Sequence, residues 1–120
     1  MTLPTPPSDE YMRFTPAGVA EAYNLIRAGL HKTPIVTSNS INALTEPRLN
    51  LYFKAEVFQK TGAFKFRGAS HAISRLSSEE VKYGVVTHSS GNHSAALACA
   101  AREKGIKCYV VMVICIIVDV

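Results

Sequence analysis

The sequence predicts an α/β fold, an open and mainly parallel sheet with flanking helices. Two observations carry this. Through the second half of the chain, short β-branched or aromatic runs alternate with longer stretches whose apolar residues recur at helical spacing. The helical stretches fall between successive strand-like runs through the last seventy residues, which argues for parallel pairing. With 120 residues, 48% of them hydrophobic, the chain is expected to form one small domain with a modest core.

The elements follow in order. Residues 1–14 (MTLPTPPSDEYMRF) are Pro-rich and polar with no apolar signal core, and read as a disordered leader. Thr15 is a good N-cap and Pro16 suits a first helical position. Val19, Ala22, Tyr23 and Ile26 then repeat at helical spacing, and Gly29 closes the segment. Thr33-Pro34 forces an extended link into a short strand, IVTS. A short helix over 40–44 ends in the turn residues TEPRLN, and LYFKAEV (51–57) reads as a strand. Ala69, Ala72, Ile73 and Leu76 restore the helical period, so Lys65 stands at or just before the first turn of that helix. GVVTH (84–88) is a buried strand, SSGN a tight loop, and HSAALACAAREKG an Ala-rich helix stopped at Gly105. IKCYVVMV is the last strand.

Composition excludes more than it selects. The net charge of +4 is mild and its Lys and Arg are scattered, so the basic side chains read as a solvated surface, and no basic stripe with interleaved aromatics suggests nucleic acid. Cys99, Cys108 and Cys115 lack CxxC spacing and metal-ligand spacing with histidine, which points to free thiols in a reducing compartment and to the cytosol, with no metal site.

Two segments have the residue types for chemistry. Lys65 lies between Phe64 and Phe66, with Gly62 and Gly68 beyond them. Desolvation by the aromatics and a position at a helix start would both disfavour the ammonium form and free an amine able to form an imine with an aldehyde. The bland alternative is a lysine whose stem merely covers apolar surface. The second segment is THSSGNHSA (87–95), where free backbone N–H groups, serine hydroxyls and the Asn92 amide stand at a strand-to-helix turn suited to a carboxylate or phosphate. Its alternative is an ordinary Ser/Asn-capped turn, with His93 structural.

KTGAFKFRGA (60–69) followed one βα unit later by SSGNH (89–93) resembles the fold-type II pyridoxal-phosphate enzymes, in particular the serine racemase and threonine or serine dehydratase branch. HKTPIVTS (31–38) and LYFKAEVFQKTG (51–62) match that branch in content and spacing, and Arg67-Gly68 favours it over the cysteine and threonine synthases. The resemblance implies a tryptophan synthase β-like fold, incomplete here, with 15–112 as its N-terminal part. It implies that Lys65 holds pyridoxal 5'-phosphate covalently, that Phe64 packs beside the ring and that Asn92 hydrogen-bonds the ring oxygen. Ser89, Ser90, Gly91, Asn92 and His93 would receive the substrate carboxylate of serine or threonine. Lys65 would act as base on one face of the α-carbon, and Ser90 would return the proton from the other in a racemase. Lys60 and Thr61 match positions that contact an activating nucleotide. ATP, Mg2+ and a homodimer are implied for full-length members, with most of those sites outside this chain.

The pattern is not matched throughout. Ala63 replaces a common serine, and Ser94-Ala95 a common Gly-Gln. Residues 113–120 (VICIIVDV) depart from the family, where a proline normally follows the strand. That apolar tail is too short to span a membrane and is β-prone. Its divergence raises the expectation of a frameshift, retained intron or truncated gene model, and hence of a chain inactive by itself or a non-catalytic subunit pairing with the full-length enzyme.

Overall fold

The structure, a computed structural model, describes residues 15–113. The expectations about the leader, Cys115 and most of the tail lie outside the described residues. Helix α1 (Pro16–Ile26) begins as its sequence dictates: the Thr15 side chain accepts from the Gly18 N–H at 3.1 Å, and proline occupies the first turn. Its apolar stripe is less covered than its spacing implies. Ile26 is buried, whereas Val19 is 64% and Tyr23 50% exposed.

After a 3-10 turn over Arg27–Gly29, strand β1 (Ile35–Val36) pairs antiparallel with β2 (Phe53–Lys54), Ile35 opposite Lys54 and Val36 opposite Phe53. Between them helix α2 (Asn39–Asn42) is capped by Ser38, and the buried Asn42 accepts the Leu51 N–H at 3.0 Å. The strand expected over 51–57 is thus much shorter. At Glu56 the backbone enters a 3-10 turn (Glu56–Phe58) and a second over Lys60–Gly62, which lead into helix α3 (Lys65–Arg75).

A second sheet holds β3 (Val85–His88) and β4 (Cys108–Val111) in parallel register, Val85 opposite Cys108 through His88 opposite Val111. Helix α4 (Asn92–Glu103) is the crossover between them. The parallel pairing is therefore found at the second sheet, while β1 and β2 form a separate antiparallel ribbon. Phe66, Ala69 and Ile73 of α3 meet Ala96, Leu97, Ala100 and Ala101 of α4, with Val85, Ile106 and Cys108 packed against them. Alanines on α4 let the two helices approach closely, and Phe66, fully buried, fills the space they leave. Among the described residues only one face of the parallel sheet is covered: Val85, Thr87, Cys108 and Val110 are half-buried, whereas Val86, His88, Tyr109 and Val111 are exposed. GVVTH is accordingly a half-buried strand.

Candidate active site

The approach to Lys65 is a sharp turn. Thr61 adopts φ 61°, ψ 12° and Gly62 φ 70°, so two consecutive residues lie in the left-handed region. Glycine does this freely; for a β-branched residue it is an outlier that the surrounding structure has to hold in place. The Gly62 N–H closes the turn on the Gln59 carbonyl at 2.9 Å. Lys65 then takes the first position of α3, and no side chain caps this helix end.

The two phenylalanines flanking Lys65 part company. Phe66 is wholly buried in the α3–α4 core, while Phe64 is 60% exposed beside the exposed Lys65. The Lys65 ammonium stands 5.4 Å from the Phe64 ring centroid. Of the two expected aromatic neighbours, Phe64 alone accompanies the amine; Phe66 anchors the helix from behind, because consecutive residues on a helix project about 100° apart.

The 89–93 loop opens α4 at the C-terminal end of β3. The Ser89 N–H bonds the Val111 carbonyl at 3.2 Å, and its hydroxyl accepts from the Gly91 N–H at 3.3 Å, which makes Ser89 part of the turn itself. The buried Ser94 donates its hydroxyl to the Gly91 carbonyl at 2.6 Å and so pins the loop from below. Ser90, Gly91, Asn92 and His93 are all exposed, and a Cβ built on Gly91 would meet nothing within 4 Å. The first N–H groups of α4 lack intrahelical acceptors, as at any helix start, and Gly91 leaves the approach to them open.

Lys60 and Thr61 are placed elsewhere. The Lys60 ammonium pairs with Glu103 at 2.6 Å, at the opposite end of α4 from Asn92, and lies 5.2 Å from the Phe66 ring centroid. The structure thus gives Lys60 a protein partner, and puts its charge apart from the Ser89–His93 loop.

A cluster that the sequence did not single out lies behind Lys65. Arg67 forks onto Glu56, Nε to Oε2 and Nη2 to Oε1, both at 2.7 Å. The Thr33 hydroxyl donates to Glu56 Oε1 at 2.6 Å, and Lys54 donates to the Thr33 carbonyl. The Arg67 guanidinium hydrogen bonds hold the Glu56 carboxyl down to about 2, helped by Thr33 and opposed by desolvation; the same pairing pushes Arg67 up. Next to it, the buried Gln59 side chain works as a substitute peptide. Its Oε1 accepts from the His31 and Lys60 N–H groups at 3.0 Å, and its Nε2 donates to the His31 carbonyl at 2.9 Å. The only cue in the sequence was Arg67 itself.

Against the cofactor that the motifs imply, the donor set fits the aldehyde and ring end: an exposed amine, an exposed aromatic face beside it, and an exposed amide at the mouth of a loop kept open by glycine. Among the described residues no group of three or more His, Cys, Asp or Glu side chains could hold a metal ion, and no helix is long and apolar enough to cross a membrane.

The chain is similar to known proteins. Serine racemase of Arabidopsis thaliana is 49% identical over 94 residues, which cover 78% of this chain and 28% of that protein. The structure of maize serine racemase superposes with a TM-score of 0.74 at 48% identity, over 81% of this chain and 30% of that one. The structure of a threonine deaminase from T.th. superposes at 0.69 with 40% identity, over 82% of this chain and 30% of that one. The chain therefore spans less than a third of the length of these relatives. The model of the family described as pyridoxal-phosphate dependent enzyme matches residues 26–114, a span that contains both the Lys65 turn and the Ser89–His93 loop, and the chain belongs to that family.

Proposed function

We propose that these residues form one wall of an active site working at the α-carbon of serine or threonine, as a racemase or an ammonia-lyase. The observation that carries the reading is the pairing of an exposed Lys65 at the first position of α3 with an open, glycine-fronted loop at the start of α4, on two helices that share one core. The likeness to serine racemases and to a threonine deaminase supports the substrate class.

Pyridoxal phosphate, when bound, supplies the sink for electrons leaving the α-carbon. The chain's own groups do the rest. The Lys65 amine would hold the cofactor through its aldehyde and, when free, would take the α-proton of the substrate on its own side. Phe64 offers a face for the ring, and the Asn92 amide a donor to its oxygen. The N–H groups at the start of α4, with the Ser90 hydroxyl and His93 beside them, receive the carboxylate. In the racemase reading, Ser90 returns the proton from the opposite side. Departure of the β-hydroxyl as water would instead leave an enamine, which one water hydrolyses to keto acid and ammonia. The reading carries with it a nucleotide contact through Lys60 and Thr61, for which Lys60 has to leave Glu103. It also carries a divalent cation held by groups outside these residues, a cytosolic location and a homodimeric assembly.

The test is reduction with borohydride in the presence of pyridoxal phosphate, followed by peptide mass analysis. A stable adduct is expected on Lys65 and lost in Lys65→Ala. If a Lys65→Ala enzyme kept full activity, the assignment would be wrong. The exposed apolar face of β3 and β4 favours a second reading, a non-catalytic subunit that docks on a longer member of the same family. Co-expression and pull-down would support it, and recovery only as aggregate would count against it.

A further inference from the structure

We propose that Arg67 and Glu56, steadied by Thr33, are positioning residues that aim the Lys65 amine, a role that rests on the reading of Lys65 as the cofactor lysine. The backbone that presents Lys65 is held on both sides. Upstream, Gln59 is locked to His31 through both atoms of its amide, and the Gly62 N–H closes onto the Gln59 carbonyl. Downstream, Arg67 stands two residues past Lys65 in the same helical turn and is gripped by a two-pronged ion pair to a different segment. Between these anchors lie the left-handed Thr61 and Gly62, a turn that would relax if either anchor let go.

The geometry of the grip suits orientation better than mere attachment. A single-pronged contact leaves a helix end free to rotate about one bond, whereas two parallel N–H···O bonds at 2.7 Å fix the plane of the guanidinium. The Thr33 hydroxyl donates to one of the two Glu56 oxygens, a third hydrogen bond that favours this orientation of the carboxylate. Phe66, wholly buried against α4, anchors the residue next to Lys65 in the core. The side chain of Lys65 is exposed, with Phe64 beside its ammonium, while the backbone before and after it is anchored, which is what a lysine that must first hold and then release a partner requires.

Two variants of the chain separate this role from general stability. Arg67→Lys keeps the charge and the helix propensity but loses the fork, and Thr33→Val removes only the hydroxyl and leaves the ion pair. Amide hydrogen exchange is read at 60–66 and, as a control for folding, at 96–101 in α4. In Arg67→Lys the 60–66 amides should exchange about tenfold faster with the α4 amides unchanged, and in Thr33→Val about threefold faster. Borohydride trapping with pyridoxal phosphate is then scored as adduct on Lys65 relative to Lys60, and this ratio should fall about fivefold in Arg67→Lys. Unchanged exchange at 60–66 in both variants overturns the proposal, as does faster exchange with the Lys65 to Lys60 ratio intact. Equal trapping on Lys60 and Lys65 in the unsubstituted chain overturns the cofactor reading instead, while the exchange arm still decides whether the clamp holds the turn.

Discussion

Thr61 is the residue whose backbone departs furthest from what its side chain favours. A threonine at φ 61° crowds its branched Cβ against the backbone, and no hydrogen bond of its hydroxyl is among those of the described residues to compensate. Asparagine tolerates this conformation, so Thr61→Asn should stabilise the chain by about 1 kcal/mol, read as a higher denaturant midpoint at unchanged slope. A lower midpoint would mean that the threonine side chain makes a contact worth more than the strain. Ser90 belongs at the same scale: if it returns the proton in a racemase, Ser90→Ala should abolish racemisation while sparing β-elimination, measured on a single enzyme with both assays. Lys65, Phe64 and the SSGNH residues were proposed from the sequence because their types and order are a local signature, and they stand at the starts of α3 and α4. Glu56 could not, because its partner Arg67 is neither at helical spacing nor on a neighbouring strand, and only the fold brings the two together.

At the scale of elements, β3 depends on a close approach at its start. Gly84 sits at φ 93°, and a Cβ there would stand 2.6 Å from the Lys107 carbonyl oxygen and 3.0 Å from the Lys107 Cβ. Neither backbone conformation nor space admits a side chain, so Gly84→Ala should cost roughly 2–4 kcal/mol, measured by thermal or urea unfolding. The clamp between the Glu56 turn and α3 gives a pH signature. The Glu56 carboxyl is held at about 2 against an ordinary value of 4.5, so its ion pair contributes fully above about pH 4.5 and is lost as the pH falls toward 2. Glu56→Gln should lower stability by on the order of 1–3 kcal/mol at pH 7, and the gap to the unsubstituted chain should close in melts run at successively lower pH. Helix α1 was legible because its Thr15 cap and its period agree, α3 by its period alone, and α4 by its alanines and the left-handed Gly105 that stops it. Strand β2 was not, since LYFKAEV has strand composition throughout but Glu56 leaves the strand to meet Arg67.

For the whole molecule, the core is narrow. It is a seam between α3 and α4 with one face of the β3–β4 sheet beneath it, and large apolar side chains remain outside. Val86 is 69% and Tyr109 55% exposed on adjacent strands. Parallel sheets are ordinarily covered on both faces, and the chain matches less than a third of the length of its relatives. Val86→Lys with Tyr109→Lys should therefore reduce concentration-dependent association in sedimentation without lowering the melting temperature, and an unchanged sedimentation profile would show that this face is inert. The sequence announced an α/β domain from its alternation, yet it could not tell a covered strand face from a bare one, since GVVTH and IKCYVVMV carry large apolar residues on both faces, Val85 and Val110 on one, Val86 and Val111 on the other.

The Gln59 amide also fastens the chain to itself at a distance. By meeting both polar atoms of the His31 backbone it brings together residues 28 apart, and Pro34 O with Ala55 N, Thr33 with Glu56 and the β1–β2 ladder add to the same closure. The intervening stretch is an excursion whose two ends are fastened to each other, with its tip exposed over 46–50. A protease that cuts after Arg48 should therefore yield two peptides that migrate as one particle under native conditions and separate only in denaturant. Peptide-bond continuity at that tip should then be dispensable to the body that carries Lys65.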